Sequence, residues 1–182
     1  MIAAERLSLQ GFTCPTCGQY HDDIPLNYGT DTPDAWYDID PSQRQQRAVC
    51  SSDQCIIDDQ FFFVRGNIEV PIIDSDQVFS WSVWVSLSEH NFKRAAELWE
   101  QDGRETEPPY FGWLNTRLPG YPDTINLKTL MCTCPVGQRP HIEVEPTDHP
   151  LAVEQQQGIT WERIYAITEM LLHDRHAEPD TL

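Results

Sequence analysis

Residues 79–87 read Phe79-Ser80-Trp81-Ser82-Val83-Trp84-Val85-Ser86-Leu87, and the fold class turns on this stretch. Its odd positions are all large and apolar, and its even positions are serine apart from Trp84. Side chains alternate across a strand, so a period of two predicts a strand with one face in a core. Trp84 interrupts the polar face, and the second face is therefore expected to be covered as well.

The neighbours extend the pattern. Upstream, residues 61–64 and 67–73 are rich in Phe, Val and Ile and predict two strands, with Arg65-Gly66-Asn67 as a turn or bulge between them. Downstream, Ser88 is placed to cap a helix whose Phe92, Ala95, Ala96 and Trp99 recur at i, i+3, i+4 and i+7. Lys93 and Glu97 are spaced to pair on its outer side, and Gly103 is expected to end it. Residues 103–123 form a proline-rich connection with a short strand at 111–117, and Tyr121-Pro122 is a candidate cis bond. Residues 124–134 and 140–145 predict two more strands around Pro135-Val136-Gly137.

Helix signals bracket this centre. Asp40-Pro41 marks a cap and first-turn proline for a short helix over Ser42–Val49. His149-Pro150 opens a helix that stops at Gly158. Thr160 caps the last helix, with Ile159 and Ile164 spaced as a hydrophobic staple. Short links between strands favour antiparallel pairing. The expected fold class is α+β: a mainly antiparallel sheet, two or three packed helices and a small N-terminal zinc-knuckle-like module. One domain is expected over 12–172, with a metal-binding module at 12–58, a sheet-and-helix core at 59–172, and loose termini at 1–11 and 173–182.

Composition narrows the function classes. The chain has 182 residues, 40% of them hydrophobic, enough for a core. It has two lysines and ten arginines against 29 acidic residues, for a net charge of −17. Proteins that bind duplexes or anionic membranes cluster basic residues, so nucleic-acid and membrane binding are disfavoured. A basic protein partner suits the charge. The N-terminal residues lack the apolar centre of a signal peptide, and the longest strongly apolar run, Phe61 to Val64, falls far short of the ~18 residues of a membrane span. A cytoplasmic protein is expected, in which six cysteines read first as metal ligands or thiols.

Phe12-Thr13-Cys14-Pro15-Thr16-Cys17-Gly18 is the strongest chemical signal. Two thiolates with two residues between them and a following glycine form half of a tetrahedral zinc site. A redox dithiol would open a helix instead, and Gln19 to Pro25 carries no helical apolar stripe. For the other half, Cys55 ranks first, then His21 against Cys50, in one structural zinc site. Cys132 and Cys134 share a face of a predicted strand, where buried cysteines often act as small hydrophobes.

A second group alternates along a strand. His141, Glu143 and Glu145 project from one face, with His149 close behind, and such a set suits a second metal or acid–base work. His149 before Pro150 is equally placed to cap a helix. Arg65 is a candidate buried or ligand-facing guanidinium. Fingerprints of stronger machinery, such as GxGxxG, GxxxxGK[ST], HExxH and GxSxG, do not occur.

Several strings together resemble one bacterial family. They are the knuckle with His21, Cys55-Ile56-Ile57, Phe63-Val64-Arg65-Gly66, Val83 to Glu89, Leu118 to Pro122, and Ile142 to Leu151 with Glu154-Gln155 and Gly158-Ile159. Over about residues 12–172 the chain resembles the family labelled domain of unknown function 2199. The resemblance implies a small cytoplasmic bacterial protein and favours Cys14, Cys17, His21 and Cys55 as shared metal candidates. It carries no activity, substrate or catalytic residue. Three functions remain in view: a zinc-stabilised acidic binding or adaptor module, a metal-dependent hydrolase using a zinc-activated water, and a thiol redox protein.

Overall fold

The computed structural model describes residues 11–14, 16–21 and 24–174. The expected loose ends therefore fall almost wholly outside the described residues. Within them the fold is α+β, with ten strands and four helices. The strand predicted from residues 79–87 is β7 (Val78–Leu87), and its odd positions, Phe79 to Leu87, are all buried. Trp84 is also fully buried, on the other face. It packs with Ile39, Ala48, Cys55, Ile57 and Phe63 in a second, smaller core. The covered second face is therefore real, and residues 30–57 supply much of the cover.

Residues 61–73, expected as two strands, form the single long strand β6 (Phe61–Pro71). It pairs with β7 without a break from Phe62↔Leu87 to Pro71↔Val78, so Arg65-Gly66-Asn67 is neither turn nor bulge. The glycine serves a different end. A Cβ on Gly66 would lie 2.7 Å from Ile142 side-chain carbons and from the Pro140 carbonyl oxygen. Only a bare α-carbon lets the later strand come this close.

That later strand closes the sheet. β8 (Tyr110–Leu114), β9 (Lys128–Cys132) and β10 (His141–Val144) follow β7 in antiparallel order, and β10 returns to β6. The sheet thus forms a small barrel from β6 to β10. Direction alternates around an antiparallel ring, so an odd number of strands cannot close without one parallel seam. Here the seam is β10 on β6, at His141↔Asn67. A second parallel pair, β3 (Asn27–Gly29) on β7, flanks the barrel, so the antiparallel expectation holds for most pairs but not all. On the other side β4 (Ala48–Cys50) and β5 (Gln54–Ile57) extend the sheet from β6.

The seam is short, and a helix finishes it. Past Asn67, the backbone of β10 turns to α3 (Pro150–Gln157). Val144 N donates to Gln155 Oε1 at 2.8 Å, and Gln155 Nε2 donates to the Ile142 carbonyl at 2.7 Å. The side-chain amide thus stands where a neighbouring strand's peptide would. The matching edge of β6 is taken by Ile159, which donates to the Pro71 carbonyl and accepts from Ile73 N.

The helix starts follow the sequence closely, and two of the stops do not. Asp40 accepts from Ser42 N ahead of a 3-10 turn at Pro41–Gln43. The following α1 (Arg44–Arg47) is shorter than expected, because Ala48 already pairs in β4. Ser88 caps α2 (Glu89–Glu97), accepting from Asn91 N. α2 stops well before Gly103, and Lys93 pairs with Glu89 at 2.6 Å rather than with Glu97. Thr160 Oγ1 accepts from Arg163 N ahead of α4 (Trp161–Asp174), whose Ile164, Ile167 and Thr168 are buried. Every peptide among the described residues is trans, Tyr121-Pro122 included. No helix among them is long and apolar enough to cross a membrane.

Candidate metal centre

The knuckle residues fold into a two-stranded hairpin, β1 (Phe12–Thr13) and β2 (Tyr20–His21). Cys14 closes it from both sides of the turn: its N donates to the Gln19 carbonyl and its carbonyl accepts from Gly18 N. Gly18 sits at φ +69° with nothing within 4 Å of a would-be Cβ, so its role is conformational. The left-handed turn lets the chain double back and return His21 to the cysteines.

Three ligand atoms result. The donor atoms of Cys14, Cys17 and His21 lie within 4.8 Å of one another. Cys17 Sγ and His21 Nε2 are 3.7 Å apart. A tetrahedral zinc with bonds of about 2.3 Å to sulfur and 2.0 Å to nitrogen separates such a pair by roughly 3.5 Å. Cys14 is fully buried while Cys17 is exposed, so one ligand faces the core and one faces solvent. The hairpin is tied to the last helix by a hydrogen bond from Thr16 Oγ1 to Glu169.

The other expected ligands lie elsewhere. Cys55 on β5 faces Cys50 on β4 in direct register, with Cα atoms 4.0 Å apart, and the two are joined by a disulfide. The cysteine ranked third for the metal is therefore bonded to its alternative, and His21 takes the third place in the group. What decided this was strand register, which spacing does not reveal. Cys132 ends β9; burial, then Glu143 and Cys134, push its thiol above the ordinary range.

His141, Glu143 and Glu145 do share an outward face, but among the described residues they are not gathered as metal ligands. They line a groove of about 540 Å³ that overlies the seam between β10 and β6. His141 Nδ1 lies 3.8 Å from Glu69 Oε2 across that seam. His149 is not part of this face. Its Nδ1 accepts from Leu151 N at 3.2 Å, so it caps α3. Arg65 is half-buried on the outer side of β6, over the Trp84 ring, with Nε donating to Ser82 Oγ at 3.0 Å. Desolvation and then Arg139 lower its affinity for a proton.

One residue that sequence reasoning missed organises the loops. Arg104 is 4% exposed and donates to the carbonyls of Trp99, Cys134, Pro135 and Gln138. No periodicity marks it, since its partners are backbone oxygens, three of them thirty or more residues away.

A family model described as "Uncharacterized protein conserved in bacteria (DUF2199)" matches residues 13–159. The chain belongs to this family. No curated protein and no solved structure matches the chain.

Proposed function

We propose that this member of the DUF2199 family is a metal-stapled binding module that engages a basic region of a protein partner. The observation that supports the staple is the convergence of Cys14, Cys17 and His21 on a turn too small to hold itself by burial. Two thiolates and an imidazole suit zinc, whose structural sites fix such short segments. The choice of partner rests on the net charge of −17. Attraction to an acidic surface raises association rates for a cationic partner and weakens as salt rises.

A second reading has one observation in its favour: the described group contains three protein ligands, not four. A zinc so held keeps a position for water, which it can activate for hydrolysis. Elemental analysis of the purified chain, with the visible spectrum of a cobalt-substituted sample, tests both. One zinc per chain and a four-coordinate thiolate-rich spectrum without water exchange supports the staple. A water-bearing or five-coordinate spectrum moves the case to the hydrolase. Metal-free protein with rapidly alkylated Cys14 and Cys17 overturns both.

A further inference from the structure

The barrel's outer face over β8, β9 and β10 is arranged in cross-strand rows. Phe111 lies opposite Leu130, and Leu130 lies opposite Glu143. In the adjoining row Trp113 lies opposite Lys128, whose Nζ is 3.4 Å from Glu145 Oε2. Each row therefore runs from an aromatic ring at one side to a carboxylate at the other. Among the described residues no element covers the apolar side: Phe111, Trp113 and Leu130 are 46%, 40% and 41% exposed. Phe111 and Trp113 pack edge to face at 5.2 Å, giving a fixed aromatic ledge. The groove continues past this ledge to Val78 and Pro71, with Glu69 on its far wall.

A contiguous set of half-exposed large apolar residues is unusual on a free surface and marks a contact site. Its charges say what it contacts. Three carboxylates, Glu69, Glu143 and Glu145, face one ammonium, Lys128, and one imidazole, His141, around the groove. A second copy of this chain is a poor occupant, since each copy carries a net charge of −17. We propose that this groove is the site at which the protein binds a basic segment of its partner. A bulky apolar side chain would seat on Phe111 and Leu130, and flanking Lys or Arg would meet Glu143 and Glu69. The proposal rests on the binding-module reading and assigns its surface and ligand chemistry.

The test titrates the 182-residue chain with two blocked heptapeptides, one alternating lysine and leucine, the other alternating glutamate and leucine. Tryptophan fluorescence gives affinity, and amide shifts in two-dimensional NMR give location. The expected result is that the lysine peptide binds and shifts the amides around Phe111, Leu130 and Glu143. Its affinity should fall about tenfold or more in a Glu143→Lys, Glu145→Lys double variant and with rising salt. The glutamate peptide should bind far more weakly. Phe111→Ser, at a position 46% exposed, should weaken the lysine peptide as well. If the lysine peptide binds equally well to the variants and shifts other amides, the groove assignment is overturned while the binding-module reading survives. Equal binding of both peptides overturns the assigned chemistry. Failure of the lysine peptide to bind zinc-replete protein counts against the site and the module together.

Discussion

Replacing Gln155 by Met removes the amide that closes β10 and keeps the side chain's length and bulk. Val144 N and the Ile142 carbonyl then lose their partners. Both residues are buried, at 5% and 0% exposure, so water does not readily replace the amide. Each orphaned backbone group costs about 1–3 kcal/mol, and methionine recovers part through apolar contact. The net loss for Gln155→Met is put at about 2–4 kcal/mol, a large share of the roughly 5–15 kcal/mol a domain has in all. Urea denaturation should show a lower midpoint at unchanged slope, and the melting temperature should fall by roughly 4–16 °C. Gln155→Glu sharpens the test. One carboxylate oxygen still accepts from Val144 N, but the other faces the Ile142 carbonyl with no proton to share. Protonation restores the donor, so the folded state raises the new carboxyl's pKa above the unfolded value of about 4.3. A raised pKa means the deficit is smallest below about pH 4.3 and grows as pH rises through the folded pKa. A Gln155→Met loss under about 0.5 kcal/mol, or a Gln155→Glu deficit that is flat from pH 4 to 8, would refute the surrogate-strand argument.

Three other outcomes are expected. Cys14→Ser should abolish stoichiometric metal and lower the melting temperature to that of chelator-treated protein, with no further loss on adding chelator to the variant. Arg104→Lys keeps the charge but cannot reach the four carbonyls of Trp99, Cys134, Pro135 and Gln138, and should cost about 2–4 kcal/mol by urea denaturation. Burial, then the hydrogen bond to Glu107, pushes Tyr110 up to about 12. Its stabilising share is fully present below the unfolded pKa of about 10 and is lost as pH rises through the folded value, so Tyr110→Phe should flatten the stability profile between about pH 10 and 12.

What the sequence showed and what it hid divide along one line. The alternation in β7 and the caps Asp40, Ser88, His149 and Thr160 depend on residues within a few positions, and all form as the local pattern predicts. Most of the larger misreadings concern pairings that strand register or tertiary packing sets. Gly66 reads locally as a breaker, yet it sits mid-strand because Ile142 crosses over it some seventy-five residues on. Cys55 reads as a spare ligand although Cys50 is only five residues away, because spacing alone does not say that β4 and β5 pair in the register that sets the two opposite. Gln155 enters only as part of a family string and carries no structural signal: a glutamine on a short helix becomes structural only because a strand edge lies beside it. The candidate metal group was legible in the same way as the caps, since Cys14, Cys17 and His21 lie on one hairpin.

The groove and the barrel have a single origin. An odd number of strands requires one parallel seam, and β10 reaches β6 only at Asn67, where Gly66 clears the way. Beyond that point the strands cannot share hydrogen bonds, so a helix and a linker complete the two edges with Gln155 and Ile159. A helix end closes a gap less evenly than a strand does, and the depression it leaves is the groove lined by Glu69, Glu143 and Gln155. The proposed binding surface is thus the place where closing this barrel is hardest. Loosening Gln155 should consequently disturb peptide affinity as well as stability. Ser88→Ala acts away from the seam, at the start of α2, and for the same loss of stability it should leave the groove's affinity unchanged. Equal effects of the two substitutions on peptide binding would mean that the groove reports global stability and not the seam.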